Sequence, residues 1–323
     1  MSGPTATGAA SAIEDPILAA FAEEVGSAGP VCVAGGRTQW EVGGPPVAGT
    51  RVLAAPRGVV MHQPDEMIVR VRTGTPVAEL SEVLAATGQM VPLDPPAPER
   101  ATVGGVLSVG RSGWRRLRYG PVRDALLEAR FVSSEGHLVK AGGPVVKNVT
   151  GFDLCRLLVG SLGTLGLLAE VVLRCTPRPR RSQWFRGVGA DPFAVATRLY
   201  RSSCLLWDGT DTWVLLEGEP VDVDAQAASV LGSAFAEVAH PPAAPGPGRV
   251  SVAPSQLHRL AGSSTGFLAE IGVGVVHAHD PGAIAASLDL AWPPRPTDDV
   301  AALDRAVKTR FDPSGRLNPG RVP

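Results

Sequence analysis

The strongest constraint on this chain is a short apolar strand that runs into paired glycines and cannot continue as a helix. Val31-Cys32-Val33-Ala34 has the unbroken apolar character of a buried strand, and Gly35-Gly36-Arg37-Thr38-Gln39 follows directly. Gly43-Gly44-Pro45-Pro46 then forbids a helix. A Rossmann fingerprint needs G-x-G-x-x-G opening a helix after the strand, and neither condition holds. Two readings remain. The segment is an ordinary strand-to-loop turn, or it is a nest whose successive N–H groups approach an oxyanion closely.

Two further glycine clusters lie downstream. Thr102-Val103-Gly104-Gly105, with Ser108 and Gly110, predicts a helix capped by Thr102 whose first-turn amides are bare. Such a terminus suits a pyrophosphate, and tight helix packing through small residues explains the same pattern. Gly160-Ser161-Leu162-Gly163-Thr164-Leu165-Gly166 enters a strongly apolar strand, which points to backbone contact with a ligand. It is preceded by Val146-Lys147-Asn148-Val149-Thr150-Gly151-Phe152-Asp153-Leu154. With 38 Gly and 30 Pro in 323 residues, loops are expected to do much of the work.

Between these clusters runs the basic stretch Arg111-Ser112-Gly113-Trp114-Arg115-Arg116-Leu117-Arg118-Tyr119-Gly120-Pro121-Val122-Arg123-Asp124. Arginines with aromatics suit nucleic acid, a dinucleotide phosphate or a solvated loop. Lys plus Arg total 30 against 31 acidic residues, so the net charge of −1 disfavours nucleic acid. Cys32, Cys155, Cys175 and Cys204 are scattered with no CxxC pair. They read as buried reduced thiols of a cytoplasmic protein, with no metal site and no iron–sulfur cluster in this chain. No window reaches 18 apolar residues and no basic-then-apolar leader opens the chain, so neither secretion nor membrane insertion is expected.

The element pattern is α+β. Asp15-Pro16 starts a helix that ends before Gly26, and strands are expected at 51–55 and 67–71. Thr75-Pro76 is expected to cap a helix whose apolar face is Val77, Leu80, Val83 and Leu84, ending at Gly88. Residues 93–98 form a stiff connector. Residues 126–133 and 138–141 read as a hairpin, 152–158 as a short helix and 167–175 as a strand. Pro177-Arg178-Pro179-Arg180-Arg181 marks a boundary. Beyond it, strands at 213–217, 250–253 and 267–277 alternate with helical patterns, and Thr297 caps the last helix. The expected domains are 1–178, in lobes of about 1–95 and 96–178, then 179–300, and a tail at 301–323.

The glycine clusters and basic stretch, in this order, resemble the FAD-binding domain of the vanillyl-alcohol oxidase/p-cresol methylhydroxylase (PCMH) superfamily. Within it the chain resembles the FAD-binding subunits of bacterial glycolate oxidases. The pieces that carry this are Ala101-Thr102-Val103-Gly104-Gly105, residues 116–124, Val146-Lys147-Asn148-Val149, Gly163-Thr164-Leu165-Gly166 and the tail from Phe311 to Arg321. The resemblance implies a two-lobed PCMH-type FAD-binding domain followed by a small α+β cap over the isoalloxazine. Gly35, Gly36, Arg37, Thr38 and Gln39 would form the pyrophosphate loop. Asp94-Pro95, Thr102, Gly104 and Gly105 would meet the flavin side, with Ser108, Ser112 and Gly113 lining the second lobe. Gly163, Thr164, Gly166 and Leu167 would face the adenosine or pyrophosphate, and the tail near Asn318 would return to the lobes. Arg116 or Arg123 would stabilise reduced flavin or a substrate carboxylate.

Two departures from the family pattern bear on mechanism. Arg37 stands after the paired glycines, whereas members with covalent flavin use His or Cys at defined places, so FAD is expected to bind without a covalent bond. Related 2-hydroxy-acid dehydrogenases carry a His-Ala-Gly-Asp-Gly-Asn-type metal motif in the cap, where this chain has Gly274-Val275-Val276-His277-Ala278-His279-Asp280. His277 and His279 would share one face of a strand, near a substrate or at an exposed strand end. The resemblance implies an FAD-dependent oxidoreductase, a subunit of a 2-hydroxy-acid (glycolate-type) dehydrogenase with catalytic flavoprotein and iron–sulfur partner subunits. The alternative is a non-catalytic FAD-binding accessory subunit. Either would be cytoplasmic, reaching a membrane only through partners.

Overall fold

The computed structural model describes residues 15–143, 153–294 and 296–322. The sequence stretch 146–152 singled out above lies outside the described residues. The chain forms two compact units. One comprises residues 1–111, 122–176 and 302–323, the other 112–121 and 177–301.

In the first unit, α1 (Pro16–Val25) starts where the Asp15 carboxylate accepts from the Ile17 amide, with Pro16 in the first turn. It buries Leu18, Phe21 and Val25, one helical face, against Val31, Leu167 and Leu317. β1 (Val31–Val33) pairs in parallel with β2 (Arg51–Leu53). β3 (Val59–Gln63) and β4 (Ile68–Arg72) follow, then α2 (Val77–Ala85), the short β5 (Gln89–Met90) and α3 (Val103–Val109). The hairpin of β6 (Leu126–Val132) and β7 (Leu138–Gly142) and the helix α5 (Leu154–Leu158) lead to β8 (Leu167–Arg174). An antiparallel sheet results, in the order β3-β4-β8-β6-β7. The central β8 is buried at all but its last residue, which accounts for its nearly continuous apolar sequence. Its one buried charge, Glu170, lies with Glu128 beside Arg70 Nη1 at 3.0 and 2.9 Å, so these buried carboxylates are paired.

α2 differs from expectation. The Thr75 hydroxyl does not cap it; it donates to the Arg72 carbonyl (2.7 Å) and accepts from the Gly58 amide (2.8 Å), and the helix opens at Val77 without a side-chain cap. The turn into the helix is thus held by the strand before it. Val83 points to solvent, leaving Val77, Leu80 and Leu84 as the buried face.

The second unit carries α4 (Arg116–Tyr119), β9 (Thr176–Pro177) at its entrance, and β10 (Arg181–Gly187), α6 (Pro192–Arg198), β11 (Cys204–Trp207), β12 (Thr212–Gly218), α7 (Pro220–Gln226), β13 (Phe235–Val238), β14 (Gly248–Ser251), β15 (Phe267–Glu270), β16 (Val275–Ala278) and α8 (Pro281–Ser287). Seven of these strands form one antiparallel sheet, in the order β13-β10-β12-β11-β15-β16-β14. The segment read as one strand at 267–277 is the β15–β16 hairpin. Gly272 and Gly274, both at φ +82°, reverse the chain where a period-two apolar pattern suggested continuity. His279 lies past the end of β16 and is exposed, so the two histidines do not share a strand face.

The last helix, α9 (Asp298–Phe311), is capped by Thr297 and packs Val307 and Phe311 on the core of the first unit. From Asp312 onward the tail is stitched to that unit. Leu317 bridges Val31 in parallel, and the Asn318 amide donates to the Val31 carbonyl (2.8 Å). Arg316, 4% exposed, donates to the carbonyls of Gly29, Ser134, Val25 and Ala28.

Candidate functional site

A cleft with about 840 Å³ of empty space, part of it open to solvent, runs through the first unit. Separated pieces of chain line it, chiefly residues 33–40, the Thr73-Gly74 turn, α3 with the residues leading into it, the Leu162-Gly163 turn with the start of β8, and the tail at Asn318 and Arg321.

The first piece is the loop after β1. Among the described residues, the amides of residues 35–39 find no acceptor in the protein, whereas the Ala34 amide before them donates to the Leu53 carbonyl (2.9 Å). Five consecutive unpaired donors beside a cleft form a nest for anionic oxygens. Arg37 sits in the left-handed region at φ +56°, which turns the loop. Gly36 is required for a different reason than ligand approach: a Cβ there would lie 1.8 Å from the Arg100 carbonyl oxygen. The glycine lets the first loop rest on the segment leading into α3.

The second piece corrects the sequence argument about the helix terminus. Thr102 caps α3 as expected, accepting from the Gly105 amide at 3.2 Å. But the Val103 amide donates to the Thr75 carbonyl (2.9 Å) and the Gly104 amide to the Thr73 carbonyl (2.8 Å). The first-turn amides are spent within the protein, so this seven-residue helix offers no bare terminus for a phosphate. What it offers is a smooth wall. A Cβ on Gly105 would meet only the Thr102 Oγ1 within 4 Å, and the rest of its surroundings are open.

Of the residues expected at the site, Gly35, Gly36, Arg37, Thr38, Gln39, Thr102, Gly104, Gly105, Ser108, Gly163 and Leu167 all line this cleft. Six do not. Pro95 lies outside the lining, on a connector turned by Asp94 at φ +49°. Thr164 is buried, its hydroxyl donating to the Ser161 carbonyl (2.7 Å), and a Cβ on Gly166 would strike the Phe131 ring at 2.3 Å, so both serve packing. Ser112, Gly113 and Arg116 belong to the second unit. There the neighbouring Arg115 pairs with buried Glu217, its Nη2 2.9 Å from Oε1, and Arg123 is an exposed surface residue. His277 is engaged by Glu270 at 2.8 Å and by the Trp114 ring at 4.9 Å.

The tail was expected to return to the lobes near Asn318, which lines the cleft; sequence reasoning missed Trp40, Thr73 and Arg321 as lining residues. The tail had a signal, since Leu317-Asn318-Pro319-Gly320-Arg321 places two polar side chains in a turn-rich segment after a helix. The cleft is electropositive at this end. Burial pushes the Cys32 thiol up, and Arg321 and Arg37 pull it back.

Residues 18–142 match the family model described as an FAD binding domain, and FAD is the cofactor such a domain takes. The chain is 40% identical over 154 residues to glycolate oxidase subunit GlcE of Escherichia coli (strain K12), covering 47% of this chain and 44% of that protein. It is 32% identical over 115 residues to glycolate oxidase subunit GlcD of Bacillus subtilis (36% and 24% covered), and 32% identical over 152 residues to a D-lactate dehydrogenase of Archaeoglobus fulgidus (47% and 34% covered). The matches thus span less than half of each of these relatives. In three dimensions the chain is similar to an alkyldihydroxyacetonephosphate synthase, with a TM-score of 0.66 at 15% identity over 90% of this chain and 71% of that one, which supports the mixed helix-and-sheet fold.

The cleft fits FAD on its own chemistry. A diphosphate needs several donors and no opposing carboxylate, which the unpaired amides of residues 35–39 supply. A flat ring system needs a wall free of side chains, which Gly105 supplies.

Proposed function

We propose that the protein is the FAD-binding subunit of a flavin-dependent oxidoreductase that acts on 2-hydroxy acids of the glycolate type and works with a catalytic flavoprotein and an iron–sulfur partner subunit. The observation that carries the proposal is the run of five unpaired amides in a loop that lines the cleft together with Gly104 and Gly105, in a chain 40% identical over 154 residues to a glycolate oxidase subunit. When bound, FAD would supply the two-electron acceptor for oxidation of a 2-hydroxy acid to a 2-oxo acid, with the iron–sulfur partner as the onward electron acceptor. The residues of this chain hold and orient. The loop at residues 35–39 binds anionic oxygens through its amides, Gly105 keeps the wall clear, and the Leu162-Gly163 turn closes the other side. No side chain here is a candidate for covalent attachment on that loop, where Arg37 stands, so FAD is held without a covalent bond. The four free, buried cysteines agree with a reducing cytoplasm, with any membrane reached through the partners.

A second reading, an FAD-binding accessory subunit without turnover of its own, is favoured by the second unit. His277 is taken up by Glu270 and Trp114, and His279 lies off the strand. The two readings separate in one experiment. The purified protein is expected to be yellow, and glycolate is expected to bleach its flavin band, with turnover when an artificial acceptor is present. Stoichiometric flavin that stays oxidised until a partner subunit is added supports the accessory reading. A well-folded, colourless preparation that takes up no added FAD ends both.

A further inference from the structure

Arg321 is nine-tenths buried in the tail, yet three of its five N–H donors are unused. Its Nη1 donates to the carbonyls of Trp40 (2.8 Å) and Val42 (2.7 Å). Its Nε and Nη2 have no acceptor. Nε and Nη2 form the side-on edge of the guanidinium, the edge whose two parallel N–H bonds match two oxygens of one phosphate or carboxylate. Among the described residues, no carboxylate lies within ion-pair distance of it. A buried cation with an empty fork and no carboxylate in ion-pair contact is a strong demand for an anion, even with Glu41 in its surroundings.

Its position says which anion. Arg321 lines the same cleft as the unpaired amides of residues 35–39. Arg37 and Arg321 both lie over the Trp40 ring, at 5.0 and 4.2 Å from its centroid, so the loop and the tail meet on that ring. The tail cannot swing freely away: the Val47 amide donates to the Pro319 carbonyl (2.8 Å) and the Val322 amide to the Gly43 carbonyl (3.0 Å).

We propose that Arg321 receives the diphosphate of FAD side-on through Nε and Nη2, making the carboxy-terminal tail a part of the cofactor site and not packing alone. The inference rests on FAD as the ligand of this cleft. It adds a residue some 280 positions from the loop it completes.

The test uses the full-length protein stripped of flavin, titrated with FAD, ADP and riboflavin. ADP carries the diphosphate without the flavin, and riboflavin the flavin without phosphate. R321Q is expected to weaken FAD and ADP alike by about 10- to 100-fold, the worth of charge-assisted bonds to a phosphate, and to change riboflavin binding by less than about twofold. R321K, which keeps the charge but not the fork, is expected to fall between. Equal losses for ADP and riboflavin would mean that Arg321 only shapes the Trp40 loop, and unchanged FAD and ADP affinity would mean that its free edge serves nothing; either result overturns the proposal. If R321Q does not fold, the wild-type protein decides: the Nε–H resonance of Arg321 is expected to shift on adding ADP and not riboflavin, and an unmoved resonance in saturated protein refutes the contact. The role of Arg321 and the flavin function are lost under different outcomes. Wild type that binds FAD as tightly as R321Q does removes only the role of Arg321, whereas wild type that binds ADP but no FAD, with ADP weakened in R321Q, removes the flavin function and leaves the diphosphate contact standing.

Discussion

Replacing Gly105 separates a glycine kept for a ligand from one kept for packing, because stability and cofactor binding should move in opposite directions. Gly105 sits inside α3, where alanine is better than glycine by about 0.5–1 kcal/mol. Its new Cβ would meet one protein atom, the Thr102 Oγ1 at 3.1 Å, which needs a shift of a few tenths of an ångström. Gly105→Ala is therefore expected to leave the stability of the apoprotein unchanged or raise it by up to about 1 kcal/mol. Gly105→Val projects further into the cleft and is expected to weaken FAD at least about tenfold, which is about 1.4 kcal/mol. Gly36→Ala is the contrasting case. Its Cβ would lie 1.8 Å from the Arg100 carbonyl oxygen, so it should lose more than about 2 kcal/mol of stability along with the cofactor. Urea unfolding of the apoproteins and fluorescence titration with FAD measure both quantities. Full flavin affinity in Gly105→Val, or an apoprotein destabilised as much as Gly36→Ala, would refute the assignment of Gly105 to the wall of the cleft.

Two further outcomes concern the tail. Arg316→Met removes a buried guanidinium that donates to four carbonyls and leaves those acceptors unpaired, so a loss of about 3–5 kcal/mol in urea unfolding is expected, and a loss under about 1 kcal/mol would show that the tail contributes little. Burial raises the pKa of Asp312, but hydrogen bonds from Lys308 and the Leu317 amide outweigh it and hold the carboxyl below its usual 3.8. The stabilisation from this group is therefore complete above that value and is lost as pH falls through the depressed one. Asp312→Asn should flatten that part of the stability–pH curve, followed by circular dichroism; an unchanged acid limb would mean that other carboxylates govern it.

Much of the site was legible in the sequence because the relevant constraint is local. A strand followed by Gly35-Gly36, and a later Gly-Gly-Pro-Pro, excludes a helix whatever the rest of the chain does, and the loop with its unpaired amides follows. Thr102 as a cap and Gly110 as the left-handed stop of α3 are local in the same sense. What sequence could not supply was the fate of groups with distant partners. The first-turn amides of α3 looked bare, yet the carbonyls of Thr73 and Thr75, nearly thirty residues earlier, consume them. Thr75 looked like a cap, yet Arg72 and Gly58 claim its hydroxyl. Gly166 and Gly163 look alike in sequence, and only the Phe131 ring beside one of them shows which is packing. In the second unit, period-two apolar character over 267–277 concealed a reversal set by Gly272 and Gly274.

The cleft's preference for an anion follows from how the tail is attached. The tail fastens itself mainly by taking acceptors. Arg321 uses the carbonyls of Trp40 and Val42, the Val322 amide uses that of Gly43, and Asn318 uses those of Val31 and Leu162 through its amide and its Nδ2. Each bond binds a carbonyl at the margin of the nucleotide loop or of the Leu162-Gly163 turn. What remains is mostly donors, the amides of residues 35–39 and the outer edge of Arg321, beside one open acceptor, Asn318 Oδ1. The open donors of such a site outnumber the one open acceptor, so water or a ligand must satisfy most of them. A ligand with several anionic oxygens does it best, since one diphosphate can satisfy many donors at the ordering cost of a single molecule. If the loop receives the diphosphate as proposed, the tail would favour phosphate even through bonds that never touch the ligand, by occupying acceptors that could otherwise close the loop upon itself.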